Sequence, residues 1–134
     1  MRRSPSPVAW VVFWIAVTLI AVLLPSPREW GAFGEWFSPH FDKIRGVAQP
    51  AAHFVLMAAI AFSLVMALAA RPPLVAWAAA TVTCLLLSGI FEWLQTLLPV
   101  EFARDADLSD IVSSLLGAMV GSGLAVWFQK HQTE

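Results

Sequence analysis

The sequence predicts an all-α integral membrane protein, with four transmembrane helices packed in a compact bundle as a single domain over residues 1–134. Hydrophobic residues make up 59% of the chain and charged residues only 13%, against about 45–50% and 25% in soluble domains. Four apolar stretches approach the ~20 residues that a helix needs to cross a bilayer. They lack the alternation of barrel strands, so helices are the expected spanning form.

The four predicted spans lie at about residues 8–24, 50–70, 74–98 and 111–128. The second and third are separated by the short segment Arg71-Pro72-Pro73. Because two prolines in so short a connection interrupt a helix and favour a turn, these two spans are expected to be antiparallel neighbours. Because all four spans are apolar, the lipid bilayer is a predicted partner of the chain.

The connection at residues 25–49 is longer and carries several aromatic residues among charges. Such a composition suits an interfacial helix between the first two spans. An irregular loop with aromatic anchors is the alternative. Gly31, Gly34 and Pro39 argue against one long helix there, because both residue types are unfavourable inside helices.

Charge and cysteine content exclude several classes of protein. Eight Lys and Arg residues against nine Asp and Glu residues leave no surplus of cations for nucleic acid. The chain has one cysteine, which excludes a disulfide scaffold and a cysteine-based zinc site. No standard metal signature and no phosphate-binding loop occurs, so neither a metal site nor a cofactor is predicted.

Orientation rests on the first span. Basic residues divide four and four between the two sides of the predicted bundle, so their total does not decide. The first helix usually dominates, and Arg2, Arg3 and the terminal amine outweigh Arg28 across it. Both termini are therefore predicted to lie in the cytoplasm.

The polar residues within or beside the spans are predicted to gather on one side of the membrane. In a four-span chain the first and third connections emerge on the same side, and each of these residues lies near one of them. At 1.5 Å per residue they share about 10 Å of depth. This predicted functional cluster consists of His53, Glu92, Gln95, Arg104, Asp107 and Asp110.

Glu92 is the most informative of these residues, because a carboxylate at the centre of a span costs about 2.5–3.5 kcal/mol. One interpretation is a membrane-embedded polar site. The other is a structural pair with Arg104 or His53 that joins helices. Asp107 and Asp110 fit the cluster and also fit helix caps, and Arg104 is expected to be a counter-charge for the acidic residues around it.

The fourth span carries small residues on one face. Ser114, Gly117 and Gly121 continue the stripe of Asp107 and Asp110 at helical spacing. Such small-residue stripes let a second helix approach closely, so helix packing is their predicted role. A homo-oligomer is left open.

Residues 49–121 resemble the VanZ-like family of small bacterial membrane proteins. The motifs that carry the resemblance are His53-Phe54, Glu92-Trp93-Leu94-Gln95 and Arg104-x-x-Asp107-x-x-Asp110, followed by Gly117-x-x-x-Gly121.

The chain departs from the family pattern at two places. Gln49-Pro50 stands where the family often has Asp-Lys, and an Asp42-Lys43 pair lies further upstream. Ser114 stands where the family often has Asn.

The resemblance implies a multi-pass protein of the bacterial cytoplasmic (inner) membrane, similar to proteins linked to low-level teicoplanin resistance.

Three functions follow as hypotheses. The first is a non-enzymatic envelope protein that recognises a lipid-linked or glycopeptide-type molecule. The second is an acid/base enzyme in which Glu92 and one Asp act with His53, while Arg104 holds an anionic group such as a phosphate. The third is a small transport or assembly subunit.

Overall fold

The protein is all-helical in the part of the chain that the computed structural model describes, which covers residues 6–23, 31–97 and 108–132. The helices are α1 (Pro7–Leu23), α2 (Gly31–Ala67), α3 (Pro73–Leu97) and α4 (Leu108–Gln132). The prediction of an all-α fold is confirmed over these ranges, in which no strand occurs.

Three of the helices are long and apolar enough to cross a membrane. The qualifying segments are Val47–Ala67 of α2, Pro73–Leu97 of α3 and Leu108–His131 of α4. α1 is also apolar but has only 17 residues, or about 25 Å of helix against a hydrocarbon core of about 30 Å. Length and composition therefore support a membrane protein, and the role of α1 as a fourth span stays a prediction.

α2 is much longer than predicted. The expectation that Gly31, Gly34 and Pro39 prevent one long helix is wrong, because α2 begins at Gly31 and runs for 37 residues through Gly34 and Pro39. It is about 55 Å long at 1.5 Å per residue. A proline inside a helix costs about 3 kcal/mol and a glycine about 1 kcal/mol, and the structural context of a residue can override such a preference. The loop alternative thus fails for residues 31–49, while residues 24–30 lie outside the described chain.

A tight turn joins α2 to α3, as the two prolines predict. The backbone N–H of Leu68 donates to Leu64 O at 2.9 Å, and that of Arg71 donates to Leu68 O at 2.8 Å. These bonds satisfy groups at the end of α2 that have no partner within the helix. The chain then reverses, and α3 returns along α2.

α3 buries mainly small and polar residues, and the helices present many large apolar residues outward. Ala76, Ala80, Cys84, Ser88 and Glu92 form the buried stripe of α3. The exposed faces carry large apolar side chains, among them Val82, Leu86, Ile90, Leu116 and Leu124. Water would not favour so much exposed apolar surface, whereas lipid does.

α4 makes its closest approach to α2 at two glycines. A Cβ atom added to Gly117 would lie 2.1 Å from Phe54 O, and one added to Gly121 would lie 2.1 Å from Ala58 O. No side chain fits in either place, so glycine is what permits the two backbones to touch. This contact positions the first turns of α4 beside the segment of α2 that carries His53.

An apolar core lies directly below the polar residues of these helices. Met57, Ile60, Cys84, Phe91 and Ala118 are buried together, and side chains of α1 pack against them. Met57 is one turn from His53, and Phe91 precedes Glu92. The polar side chains at the end of the bundle where α3 ends and α4 begins therefore pack against this apolar core.

Candidate functional site: a buried His–Glu–Asp cluster

Three ionisable side chains from three different helices meet at this end of the bundle. His53 Nε2 of α2 lies 3.5 Å from Asp110 Oδ2 of α4 and 4.0 Å from Glu92 Oε1 of α3. One ligand-type atom from each residue falls within 4.8 Å of the others. These residues are called the His–Glu–Asp cluster below.

The cluster is almost completely withdrawn from solvent. Asp110 is 1% exposed and Glu92 is 4% exposed, while the His53 side chain keeps 15% of its surface accessible. Burying a carboxylate without compensation is costly. Two carboxylates in so small a volume therefore need a cation or hydrogen-bond donors beside them, and His53 is the part of the cluster that an incoming molecule can reach.

Each side chain is brought to the cluster by a local feature of its helix. Asp110 lies in the first turn of α4, where the helix dipole favours negative charge. Glu92 continues the buried stripe of α3 at i, i+4 spacing from Ser88. His53 lies on the part of α2 that faces α4, one residue before Phe54, whose backbone meets Gly117.

Gln49 joins the site as well, and reasoning from the sequence missed it. Its side-chain Nε2 donates a short hydrogen bond to Asp110 Oδ2. Gln49 lies four residues before His53, and residues at i and i+4 share a helix face. That spacing was the available signal. In the sequence, Gln49 marks only a departure from the family pattern.

Ser114 also has a place in the site beyond the packing role predicted for it. Its Oγ lies 3.3 Å from His53 Nδ1. When Nδ1 carries the proton, it donates to Ser114, and Nε2 then points an unshared electron pair at the two carboxylates. When Nδ1 carries no proton, the hydroxyl can donate to it instead, so the contact is compatible with either imidazole tautomer.

Several buried polar atoms next to or within the cluster have no hydrogen-bond partner among the described residues. They are Asp110 Oδ1, Ser88 Oγ and Gln95 Oε1. Gln95 is 2% exposed and lies one turn beyond Glu92 on α3. Buried polar atoms in native proteins nearly always have partners, so these positions indicate that the site is built to meet additional polar groups.

The structure brings together four residues of the predicted functional cluster, three of them close to one another and the fourth one helical turn away. His53, Glu92 and Asp110 are in direct contact range, and Gln95 is buried one turn away. Arg104 and Asp107 lie outside the described residues. The predicted packing residues Gly117 and Gly121 lie against α2, with Ser114 on the same face.

Comparisons of the chain with family models, with curated proteins and with solved structures found no match. The VanZ-like resemblance stays a prediction, and the chemistry of the cluster has to be argued from its own atoms. Those atoms are rich in hydrogen-bond acceptors and negative charge. The site is therefore suited to a cation or to a group with several donors.

Proposed function

We propose that the chain is a VanZ-like, four-span protein of the bacterial cytoplasmic membrane that recognises the polar part of a lipid-linked or glycopeptide-type molecule. The observation that carries the proposal is the meeting of His53, Glu92 and Asp110 at one end of the bundle. Ionisable residues within spans are expensive and are usually functional. Three of them from three helices converge here, and that arrangement is more than helix packing requires.

The orientation proposed for the chain supports this function. With both termini in the cytoplasm and α1 as the first span, the end of the bundle that holds the His–Glu–Asp cluster faces outward. Lipid-linked envelope precursors and glycopeptides are both met at that surface. Accessible His53 would contact the molecule first, and the two buried carboxylates would accept hydrogen bonds from its amine, amide or hydroxyl groups.

The test of this proposal is complementation with Glu92→Gln. Glutamine keeps the size of the side chain and removes its charge. In a bacterial host that lacks the gene, the wild-type chain is expected to restore resistance within an envelope-antibiotic panel that includes teicoplanin, whereas Glu92→Gln is expected to fail at equal membrane abundance. His131→Gln is the matched control, because His131 is exposed on α4 at the opposite end of the bundle.

The structural alternative makes a different prediction for the same variant. If Glu92 only joins helices, Glu92→Gln will lower the amount of protein extracted in detergent and its melting temperature. A variant that is poorly folded, or one that is fully active in complementation, contradicts the proposal. Normal folding with lost resistance supports it.

An acid/base enzyme is the second candidate, and one distance favours it. His53 Nε2 and Asp110 Oδ2 are 3.5 Å apart, and catalytic hydrogen bonds that are longer than about 2.6–3.2 Å without substrate often tighten when substrate binds. An enzyme and a binding protein differ in the effect of Glu92→Gln on a purified sample. Loss of turnover with retained binding indicates an enzyme, and loss of binding indicates a recognition site.

A further inference from the structure

We infer that the His–Glu–Asp cluster binds one divalent transition-metal ion, with His53 Nε2 and one oxygen each from Glu92 and Asp110 as ligands. The inference deepens the proposed function and rests on the same site being a binding site. It adds that the polar group of the bound molecule meets a metal ion. Sequence spacing does not predict this site, because its three ligands come from three helices with no standard motif.

The distances fit a single ion. Two ligands held at about 2.1 Å from a tetrahedral ion lie about 3.4 Å apart. The observed separations from His53 Nε2 are 3.5 Å to Asp110 and 4.0 Å to Glu92. All three atoms lie within 4.8 Å of one another, and rotation of the two carboxylate side chains would close the remaining gaps around one ion.

Charge at the cluster supports a divalent ion. Glu92 and Asp110 bring two negative charges into a volume that is 4% or less exposed at each residue. A divalent ion neutralises both charges, whereas a proton on His53 neutralises one. Asp110 Oδ1 is also buried without a hydrogen-bond partner among the described residues, and coordination or a metal-bound water would satisfy it.

The residues around the ligands have the arrangement that metal sites use to orient them. A metal-bound histidine usually donates its second ring N–H to a nearby acceptor, which fixes the tautomer. Ser114 Oγ is 3.3 Å from His53 Nδ1 and can accept that bond. Gln49 Nε2 donates to Asp110 Oδ2 and orients that carboxylate. Both contacts support ligand atoms that lie within 4.8 Å of one another and of Glu92.

The donor set selects the class of ion. One imidazole nitrogen with two carboxylate oxygens suits zinc or manganese better than calcium or magnesium, which prefer oxygen alone. Three protein ligands also leave a fourth position open, as in sites where an ion meets water or substrate. The open position would face the accessible edge of His53.

The experiment uses the full chain, purified in detergent with a tag that contains no histidine. The protein is stripped with chelator, loaded with Zn²⁺, desalted and analysed for metal content. About one Zn²⁺ per chain is expected for the wild type and for the control His131→Gln, and excess Mg²⁺ should not displace it. His53→Gln and Asp110→Asn are expected to lose it. No retained metal in the wild type, or equal retention in these variants, overturns the inference.

Two further measurements cover the case in which a ligand variant does not fold. Ser114→Ala should lower Zn²⁺ affinity by about 10–100-fold with little effect of Ser113→Ala, the matched control on the neighbouring position of α4. X-ray absorption of the Zn²⁺-loaded wild type should show a nitrogen and oxygen shell with imidazole scattering. A spectrum without imidazole scattering, or one that shows sulfur ligands on the Zn²⁺ ion, contradicts the proposed site.

The metal inference and the proposed function fail in different ways. Absence of metal, combined with lost resistance in a well-folded Glu92→Gln, overturns the metal site and leaves the recognition site standing. If the wild type holds one metal ion per chain and Glu92→Gln still gives full resistance, the metal site stands and the proposed recognition function is overturned.

Discussion

At the scale of single residues, the most important contacts of this protein link a buried carboxylate to its neighbours. Asp110 is 1% exposed, and it meets Gln49 and His53 across the interface between α2 and α4. A hydrogen bond to a charged group is worth more than one between neutral groups. The hydrogen bond from Gln49 is therefore expected both to join α2 to α4 and to stabilise the carboxylate of Asp110.

Replacement of Gln49 by alanine should destabilise the protein more than replacement of a comparable glutamine elsewhere. Gln129 is the matched control, since it also joins α4 to α2, through a bond from Nε2 to the neutral Val65 O at 3.1 Å. We expect losses of about 1.5–3 kcal/mol for Gln49→Ala and about 0.5–1.5 kcal/mol for Gln129→Ala. Unfolding in mixed micelles measures both. A larger loss for Gln129→Ala contradicts the importance of the charged acceptor.

Single residues also show how far a sequence alone leads. Glu92 stands out because a carboxylate in an apolar segment requires a compensating reason. Gln49 does not stand out, because a neutral amide at the edge of a span is unremarkable until a buried carboxylate is found beside it. The partner of a polar residue is decided by packing between helices, and one-dimensional spacing does not contain that information.

At the scale of helices, the interface between α2 and α4 depends on two glycines. Gly117 and Gly121 face backbone oxygens of α2 at distances that exclude a side chain. At Gly89 and Gly123, no atom beyond the adjacent residues and the local helix backbone lies within 4 Å of the position where a Cβ would stand. The four glycines therefore divide into two that permit close packing and two that do not.

Alanine substitutions at these glycines should have opposite effects. Gly117→Ala or Gly121→Ala must push α4 away from α2, and overpacking of this kind costs about 1–3 kcal/mol or more. Gly89→Ala and Gly123→Ala add a methyl group in open space and should stabilise the helix by about 0.5–1 kcal/mol. The measurement is the melting temperature in detergent. Equal effects at all four positions would show that the helices do not meet as described.

The helices also show where local patterns fail. The spans in α2, α3 and α4 follow from apolar length, which the bilayer demands of any helix that crosses it. The extension of α2 back to Gly31 contradicts local propensity at Gly34 and Pro39. Propensity is a local preference, and the structural context of a helix can override it even where a proline costs about 3 kcal/mol.

At the scale of the whole molecule, topology decides which polar residues can meet. Helices that alternate in direction bring the start of α4 and the end of α3 to one end of the bundle, beside the middle of the 37-residue α2. Arg71 and Lys130 are left at the other end. The ionisable residues that form the His–Glu–Asp cluster are thus gathered at one end of the bundle because of the direction of the chain and the lengths of the helices.

Topology reporters test the four-span arrangement that we propose. Reporters fused near Arg28, Arg45 and Arg104 should all give the same sidedness, outside the cytoplasm. A reporter near Arg71 should lie inside, because one span separates it from each neighbouring connection. Reporter activity in intact cells, with alkaline phosphatase and a fluorescent protein as complementary readouts, measures the side.

Two results would contradict this arrangement in different places. Different sidedness at Arg45 and Arg104 would mean that α2 and α3 do not both cross, and the His–Glu–Asp cluster would then not lie at one membrane face. A reporter at the N-terminus on the same side as Arg28 would show that α1, which has 17 residues, does not cross.

Apolar composition and the placement of a few ionisable residues are enough to predict a helical membrane protein with its polar side chains gathered at one end. That much follows because a bilayer imposes a minimum helix length and penalises every charge it contains. The contacts of His53 with Glu92 and Asp110, the entry of Gln49 and Ser114 into the site, and the unbroken length of α2 depend on how helices far apart in the chain pack. Close packing at Gly117 and Gly121 sets those distances, and only a folded bundle contains them.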